Sequence, residues 1–458
     1  MEMIYQKNNS NKKLRLRLDF LYIFILTVYT GQQCAEFMGI FFFSSFFSVL
    51  IPFVFTCYII YEHHVKFNKA FYWVAGLILA WYVCQYIFNG YFNITDCGFM
   101  IYNVLLAYVA ARTFKVRFLV LFERSVYILA GISLVGWMIS VLGGRQLLET
   151  MAPFDGNAVV AASYGVFGVP RVEEIYSMHY TIFLRNSGFC TEPGHFSSLL
   201  GIAILFNMVI KRFKVVHNVH LYVLVLALLT TQSTTGYVLM GTVIIPMYLL
   251  NYRNRKLKVG GTVLAILLTL VLGSTSIVSS KIQDNVYEKE KFAEIIDYQE
   301  ETDDYTLVAQ RFDSFMIEMI NFRENLLIGY GTYIKSFFYE NVTKRWIPSN
   351  GFATVFAKYG LFIGLLFYVF LIRSAISFGK LFQIKFSSII VLLVCGILFS
   401  YDHQAQYHIL YFVLFDLFYK KELIVRYEKN LSLPVKFRRA RVRVLRAPQN
   451  AGHRTECI

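Results

Sequence analysis

Three ionisable residues stand at the start of an apolar stretch, in the segment FLRNSGFCTEPGHFSS at residues 183–198. They are Arg185, Glu192 and His195. A guanidinium binds phosphate oxygens in pairs, a carboxylate can accept a proton, and an imidazole can carry one near neutral pH. Ionisable groups are costly beside hydrocarbon, so this segment is a candidate for binding or catalysis.

The same residues also have structural explanations, which the sequence leaves open. Pro193 suits the first turn of a helix, where its missing N–H would be unpaired anyway. Glu192 would then lie near the N-cap, favoured by the helix dipole, and could pair with Arg185. A single histidine such as His195 at an interface is more often packed than catalytic.

A second group of candidates lies between residues 309 and 331. Apolar residues recur at helical spacing from Phe312 to Ile320, which predicts an amphipathic helix on the membrane or over a cavity. Arg311 opens this helix, and Gly329 and Gly331 follow it in a turn. Arg311 and Arg323 could bind phosphate, or they could pair with neighbouring acidic residues.

Four further sites of interest lie elsewhere in the chain. Asn350 precedes an apolar stretch and could bind a sugar or diphosphate, although helix capping is the simpler explanation. The segment 231–237 predicts a polar hairpin between two apolar stretches. Arg171 lies in a long polar segment, and His403 lies between the last two apolar stretches. Both are candidate substrate-binding residues.

The composition shows what must position these residues. The chain has 458 residues, of which 57% are hydrophobic and only 16% charged, which is far more apolar surface than a soluble domain can bury. We predict an all-α polytopic membrane protein with about 12 transmembrane helices. The predicted spans are 18–33, 37–61, 70–92, 97–111, 118–142, 195–210, 219–232, 235–252, 259–280, 351–372, 386–401 and 404–419.

The net charge of +15 does not indicate nucleic-acid binding, because the basic residues alternate by loop. Positive segments precede the first span and follow every second span, ending in a basic tail from Lys420 through Arg446. The positive-inside rule then places both termini in the cytoplasm. The tail is expected to contact anionic lipid headgroups.

Two loops on the opposite side are long, and they define the predicted organisation. We expect spans 1 to 5 in residues 1–142, a first large extracytoplasmic loop at 143–194, spans 6 to 9 in 195–280, a second large loop at 281–350, spans 10 to 12 in 351–419, and the basic cytoplasmic tail at 420–458. Loops this long are usually functional, although an acidic spacer explains 284–304 equally well. The basic start of the chain shows no cleavage site for a signal peptide.

Four of these segments, taken in order, resemble the Wzy-type polysaccharide polymerases and the related O-antigen ligases. They are Arg185-x-x-Gly188-Phe189-x-x-Glu192-Pro193, Ser233-Thr234-Thr235-Gly236, Ala309-Gln310-Arg311 with the later Asn325-Leu326-Leu327-Ile328-Gly329-Tyr330-Gly331, and Asn350 through Tyr359-Gly360. The resemblance covers roughly residues 180 to 375. The first third and the tail match only in hydropathy.

The resemblance implies a glycosyl transfer on the extracytoplasmic face of a bacterial inner (plasma) membrane. A growing glycan would leave its polyprenyl diphosphate and join a fresh lipid-linked repeat unit, with no metal and no other cofactor. Arg185 and Arg311 would neutralise the departing diphosphate, and Glu192 would orient an arginine or accept the proton of the acceptor hydroxyl. The partners would be lipid-linked oligosaccharide, membrane lipids, a chain-length regulator and a flippase.

Two alternatives remain open at this stage. Ligases of this group carry a functional histidine just before the asparagine at the late span, and Ser349 stands there in this chain, which favours a polymerase. A histidine such as His195 or His403 could substitute for it. The other alternative is a flippase for the same lipids, but we see no internal repeat, and the charged residues gather in loops rather than mid-span.

Overall fold

A computed structural model describes residues 16–29, 42, 45–144, 162–164, 167–169, 185–251, 311–331, 350–400 and 405–419. The fold is that of an all-α polytopic membrane protein, as predicted. Six helices in the described part are long and apolar enough to cross a membrane, and four shorter apolar helices accompany them. The predicted span 259–280 and most of both large loops lie outside the described residues, so the count of 12 remains a prediction.

The helices are numbered here in chain order. They are α1 at 16–29, α2 at Ser45–Glu62, α3 at Lys69–Asn89, α4 at Ile94–Val109, α5 at Val116–Ile139, α6 at Pro193–Ile210, α7 at Val219–Thr230, α8 at Thr234–Asn251, α9 at Arg311–Glu324, α10 at Gly351–Phe382, α11 at Ile389–Ser400 and α12 at Tyr407–Phe418. Single π-helical turns extend α4 at Ala110–Phe114 and α5 at Ser140–Gly144. A third π-helical turn interrupts α8 at Met240–Ile244.

The apolar helices alternate in direction, so the bundle has two ends. One end holds Asn350 at the start of α10, and we call it the Asn350 end. There the start of α4 meets α10 through an ion pair of 3.3 Å between Asp96 and Lys358. The other holds Lys66 in the loop between α2 and α3, and we call it the Lys66 end; there Asn251 donates a hydrogen bond of 3.3 Å to the carbonyl of Lys385. The basic loops that the structure describes, at 66–69, 112–117, 211–214 and 380–385, lie at the Lys66 end.

Helix α6 occupies the centre of the bundle. Every residue from Pro193 to Val209 is buried, and α5, α7, α8 and α11 pack around it. Small residues allow this close approach. A Cβ added to Gly236 of α8 would lie 2.9 Å from Leu228 of α7 and 3.0 Å from Ser197 of α6. The segment that leads into α6 is therefore fixed by the most enclosed helix of the described structure.

Large apolar side chains on the outside of the bundle identify its lipid-facing surface. In α3, Trp73, Leu79, Val83 and Ile87 are all exposed, although the helix is apolar along its length. In water such a surface would drive association. In a bilayer it is matched to the hydrocarbon, which agrees with the membrane class predicted from composition.

Two features of the fold go beyond the sequence-based prediction. Helix α10 continues to Phe382, ten residues past the predicted span end at 372, and it is broken at Gly360 by a non-helical φ of 78° and ψ of 175°. The first large loop contains a short antiparallel hairpin of β1 (Ala162–Tyr164) and β2 (Phe167–Val169). Strands of three residues leave no periodic pattern that a sequence could reveal.

Candidate functional site

The arginine before α6 lies against the hairpin that joins α7 to α8. Arg185 donates a hydrogen bond of 3.1 Å from Nε to the carbonyl oxygen of Thr231. The next residue, Asn186, donates 3.0 Å from its backbone N–H to the carbonyl of Thr230. Its side chain also donates to the Thr230 hydroxyl at 3.1 Å and to the Ser133 hydroxyl at 3.2 Å. These contacts fix the guanidinium at the Asn350 end.

A tight turn carries the chain from Arg185 into α6. Gly188 has a φ of 58°, and a Cβ there would lie 2.8 Å from the ring of Phe196, so only glycine fits. Glu192 then occupies the N-cap position and Pro193 the first turn, as the sequence predicts. The Glu192 carboxylate makes no capping hydrogen bond to the described backbone of α6. Its half-buried side chain is thus not committed to helix capping.

His195 lies one turn inside α6 and is buried, with 4% of its surface exposed. It stands beside the serines that connect α6 to the hairpin. Ser197 donates to the carbonyl of Gly194 at 2.7 Å and lies 3.3 Å from the hydroxyl of Ser233. Ser233 caps α8 through the Gly236 N–H at 3.4 Å. The first two of the four resembling segments therefore form one packed unit.

Helix α9 turns its polar side inward. Ser314 and Asn321 are fully buried and Glu318 is 1% exposed, whereas Met316 and Met319 are exposed. Spacings of four and three residues place the buried residues on one face of the helix. Apolar groups outward and polar groups inward suit a helix that borders lipid and covers a polar interior. Position 311 continues the polar face by helical register, although the Arg311 side chain lies outside the described residues.

The buried carboxylate of Glu318 joins three parts of the chain. Its Oε1 accepts a hydrogen bond of 3.1 Å from the Tyr330 hydroxyl and lies 3.2 Å from the Thr354 hydroxyl. Thr354 also donates to the carbonyl of Asn350 at 2.7 Å. Asn350 is fully buried and caps α10 by accepting from the Ala353 N–H at 3.2 Å. The capping explanation of Asn350 is confirmed.

A turn after α9 crosses α10 at its break. Three backbone hydrogen bonds of 2.9 to 3.0 Å join residues 326–331 to residues 357–361. Gly329 and Gly360 both have a φ of 78°, and Gly331 has one of 69°, so all three need glycine's freedom. The turn predicted at Gly329 and Gly331 is confirmed. The break at Gly360 makes room for it.

Side chains from α3 hold this crossing in place, and the sequence analysis did not identify them. Trp81 Nε1 lies 3.1 Å from the carbonyl oxygens of both Ile328 and Tyr359. Gln85 donates to the carbonyls of Ile328 at 2.7 Å and Gly329 at 3.2 Å. A signal existed, because Trp81, Gln85 and Asn89 repeat every four residues on an otherwise apolar helix. Their partner turn could not be guessed from that pattern.

The end of α11 connects the Arg185 unit to the α9 unit. The hydroxyls of Ser400 and Thr235 are hydrogen-bonded to each other. The preceding residue, Phe399, packs on Phe315 with ring centroids 5.9 Å apart. Phe315 lies one turn after Arg311. Contacts among described residues thus link the Arg185 segment, the 231–237 hairpin, α9 and Asn350 at the Asn350 end, while the Arg185 to Arg311 separation lies outside the described side chains.

The remaining predicted residues are distributed differently. Arg323 is exposed in the last turn of α9, where the helix dipole stabilises a cation. Arg171 and His403 lie outside the described residues. Within the described part of the chain, no group of three or more histidine, cysteine, aspartate or glutamate side chains could hold a metal ion.

Comparison with known proteins finds a family model that matches part of this site. Residues 219–369 match the family model described as O-Antigen ligase. No curated protein matches the chain. The matched segment runs from α7 into α10 and includes the 231–237 hairpin, α9 and Asn350, while Arg185 and Glu192 lie just before it. The match to the O-antigen ligase model over residues 219–369 confirms the resemblance read from the motifs in that part of the chain.

Proposed function

We propose that this protein polymerises polyprenyl-diphosphate-linked oligosaccharide repeat units into a surface polysaccharide, an O-antigen or a capsule. The observation that carries the proposal is the meeting of the Arg185 segment, the 231–237 hairpin, α9 and Asn350 at one end of a membrane bundle. The family domain supports chemistry on lipid-linked glycans. The Asn350 end would face the outside of a bacterial inner membrane, because the basic loops gather at the opposite end.

In the proposed reaction, a hydroxyl of the incoming lipid-linked unit attacks the anomeric carbon of the growing glycan. A new carbon–oxygen bond forms there while the bond to the diphosphate breaks. The diphosphate leaves with the bonding electrons, and the proton of the hydroxyl passes to the Glu192 carboxylate. The diphosphate is already a good leaving group and needs no chemical activation. The main contribution of the protein would be to stabilise the negative charge that develops on it.

Arg185 and Arg311 would supply that stabilisation from two separate segments. The Nε bond to Thr231 sets the plane of the Arg185 guanidinium, which pre-organises it toward one direction. Position 311 opens the polar inward face of α9. His195 would contribute to substrate binding beside Arg185, and Arg171 and His403 would do so from segments outside the described residues. Arg323 would act from the exposed face of α9, and Asn350, which is fully buried, would act by holding the start of α10 in place. A chain-length regulator and a flippase would act as partners.

A ligase is the second candidate, because the matched family model is described by that activity. A ligase transfers a finished glycan once to a different acceptor, whereas a polymerase extends a chain of its own repeat units. The purified protein would be given lipid-linked repeat units alone, and then with a lipid A core acceptor. Growing ladders without the core acceptor support the polymerase, and a single transfer that requires it would overturn that assignment.

A flippase for the same lipids is tested separately. Labelled repeat-unit lipid in vesicles would cross the bilayer without lengthening if the protein were a transporter. The polymerase proposal expects longer glycans and no transport beyond that of protein-free vesicles.

A further inference from the structure

A basic cavity lies at the Lys66 end, far along the bundle from the proposed glycan site. Its volume is about 300 Å³, and it lies where α2, the π-turn after α4 and α12 all end. Five of its lining residues are basic or imidazole side chains, namely His63, His64, Lys66, Arg112 and Lys115. Among the described residues that line it, none is acidic.

Among the described residues, neighbouring groups balance only part of the positive charge of this cavity. Arg112 lies 3.5 Å from the carbonyl oxygen of Phe418 and over the ring of Tyr108, so it satisfies the end of α12. His63 is paired with Asp19 at 2.8 Å, and Asp19 is balanced again by Arg117 at 2.9 Å.

Two lysines of the cavity remain uncompensated. Within the described part of the chain, neither Lys66 nor Lys115 forms an ion pair, and both side chains are exposed. Three helix C-termini attract cations to this place. Both lysines line the cavity and, being exposed, remain accessible to a ligand that enters it.

The backbone around the cavity is strained in the same two loops. His64 has a φ of 47° and Lys115 a φ of 51°, in the left-handed region that L-residues other than glycine rarely adopt. Such strain is costly and is found most often at ligand-binding and other functional sites. The Tyr108 hydroxyl holds one of these loops by donating 2.8 Å to the carbonyl of Lys66 and accepting 3.0 Å from Asn68.

We propose that this cavity binds the phosphate of an anionic lipid headgroup, with Lys66, Lys115 and Arg112 as its cationic contacts. Basic pockets between membrane helices on the cytoplasmic side suit such headgroups. The cavity lies at the end where the described basic loops gather, beside the ends of three apolar helices. A free phosphate ion offers the same chemistry, and the experiment separates the two sources. The proposal does not depend on the glycan reaction.

The test compares the full chain with two double variants in phosphatidylcholine nanodiscs to which phosphatidylglycerol is added. Lys66→Gln/Lys115→Gln removes two charges from the cavity. Lys211→Gln/Lys214→Gln removes two exposed charges at the same end but outside the cavity, and both variants keep the basic tail. Native mass spectrometry after release into detergent counts retained phosphatidylglycerol. We expect the cavity variant to lose roughly 10- to 30-fold in apparent affinity and the control to retain it.

Equal loss in both variants, or equal retention in both, would overturn the proposal. Displacement of phosphatidylglycerol by inorganic phosphate at comparable concentration would overturn the lipid assignment in favour of a small-anion site. Lys66→Arg/Lys115→Arg keeps the charges and should restore binding, which excludes misfolding as the cause. Glycan transfer should be unchanged in the glutamine variant, so the outcome is independent of the proposed reaction.

Discussion

Gly329 and Gly360 lie back to back where the turn after α9 crosses the break in α10. A Cβ added to Gly329 would lie 2.6 Å from the backbone nitrogen of Gly360, and both residues have a φ of 78°. Neither position accepts a side chain without moving the other backbone. This crossing fixes α9, and therefore position 311, relative to Asn350.

Gly329→Ala should lower the thermal stability of the protein by several degrees and reduce glycan transfer. Left-handed backbone costs an L-residue roughly 1–2 kcal/mol, and the overlap with residues 358 and 360 adds to it. Gly76→Ala in α3 is the matched control, because a Cβ there meets nothing within 4 Å. Differential scanning fluorimetry of both purified variants makes the comparison. Equal midpoints for the two would show that the crossing tolerates a side chain.

Trp81→Phe should reduce glycan transfer while leaving the amount of protein in the membrane normal. Phenylalanine keeps the ring volume nearly intact but removes the N–H that reaches the carbonyls of Ile328 and Tyr359. Losing such a hydrogen-bond donor costs about 0.5–1.5 kcal/mol, although the Ile328 carbonyl keeps its bond from Gln85. The control is Trp73→Phe in the same helix, whose side chain is exposed. A loss of similar size in the control would mean that the hydrogen bonds of Trp81 have no special part in activity.

Comparing Glu318→Gln with Glu318→Ala should separate the contribution of the side chain's size and hydrogen bonds from that of its charge. Glutamine keeps an oxygen that can accept from Tyr330 and Thr354, so we expect near-normal stability and transfer. Alanine removes both contacts and leaves a buried gap, which should destabilise by roughly 2–3 kcal/mol. Glu324→Ala, at the exposed end of α9, is the control. Transfer abolished in Glu318→Gln with unchanged stability would instead make the carboxylate charge essential.

The membrane class and most ends of the described helices could be predicted, because apolar runs record them along the chain. Pro193, Glu192 and Asn350 also stand where their local chemistry places them. These features depend only on neighbours in sequence. Short-range rules are therefore sufficient for them.

The contacts that hold the site in place could not be predicted, because they join residues far apart in the chain. Trp81 contacts Ile328, which lies 247 positions away in the sequence. Glu318 is buried because α9 turns its polar face toward the inside of the bundle. In the sequence, Glu318 is only one of several acidic residues near Arg311 and Arg323 that could pair with them. The break at Gly360 inside an apolar run likewise depends on a turn that hydropathy does not reveal.

The most direct test of the central claim is the glycan chain length made by Arg185→Ala and Arg311→Ala, each expressed in place of the natural protein. Arg212→Ala, an exposed arginine at the Lys66 end, is the matched control. If the two guanidiniums stabilise the departing diphosphate, each variant should lose about 10²- to 10³-fold in transfer rate and produce only short glycans. An unchanged chain-length distribution at normal protein abundance in either variant would contradict the account.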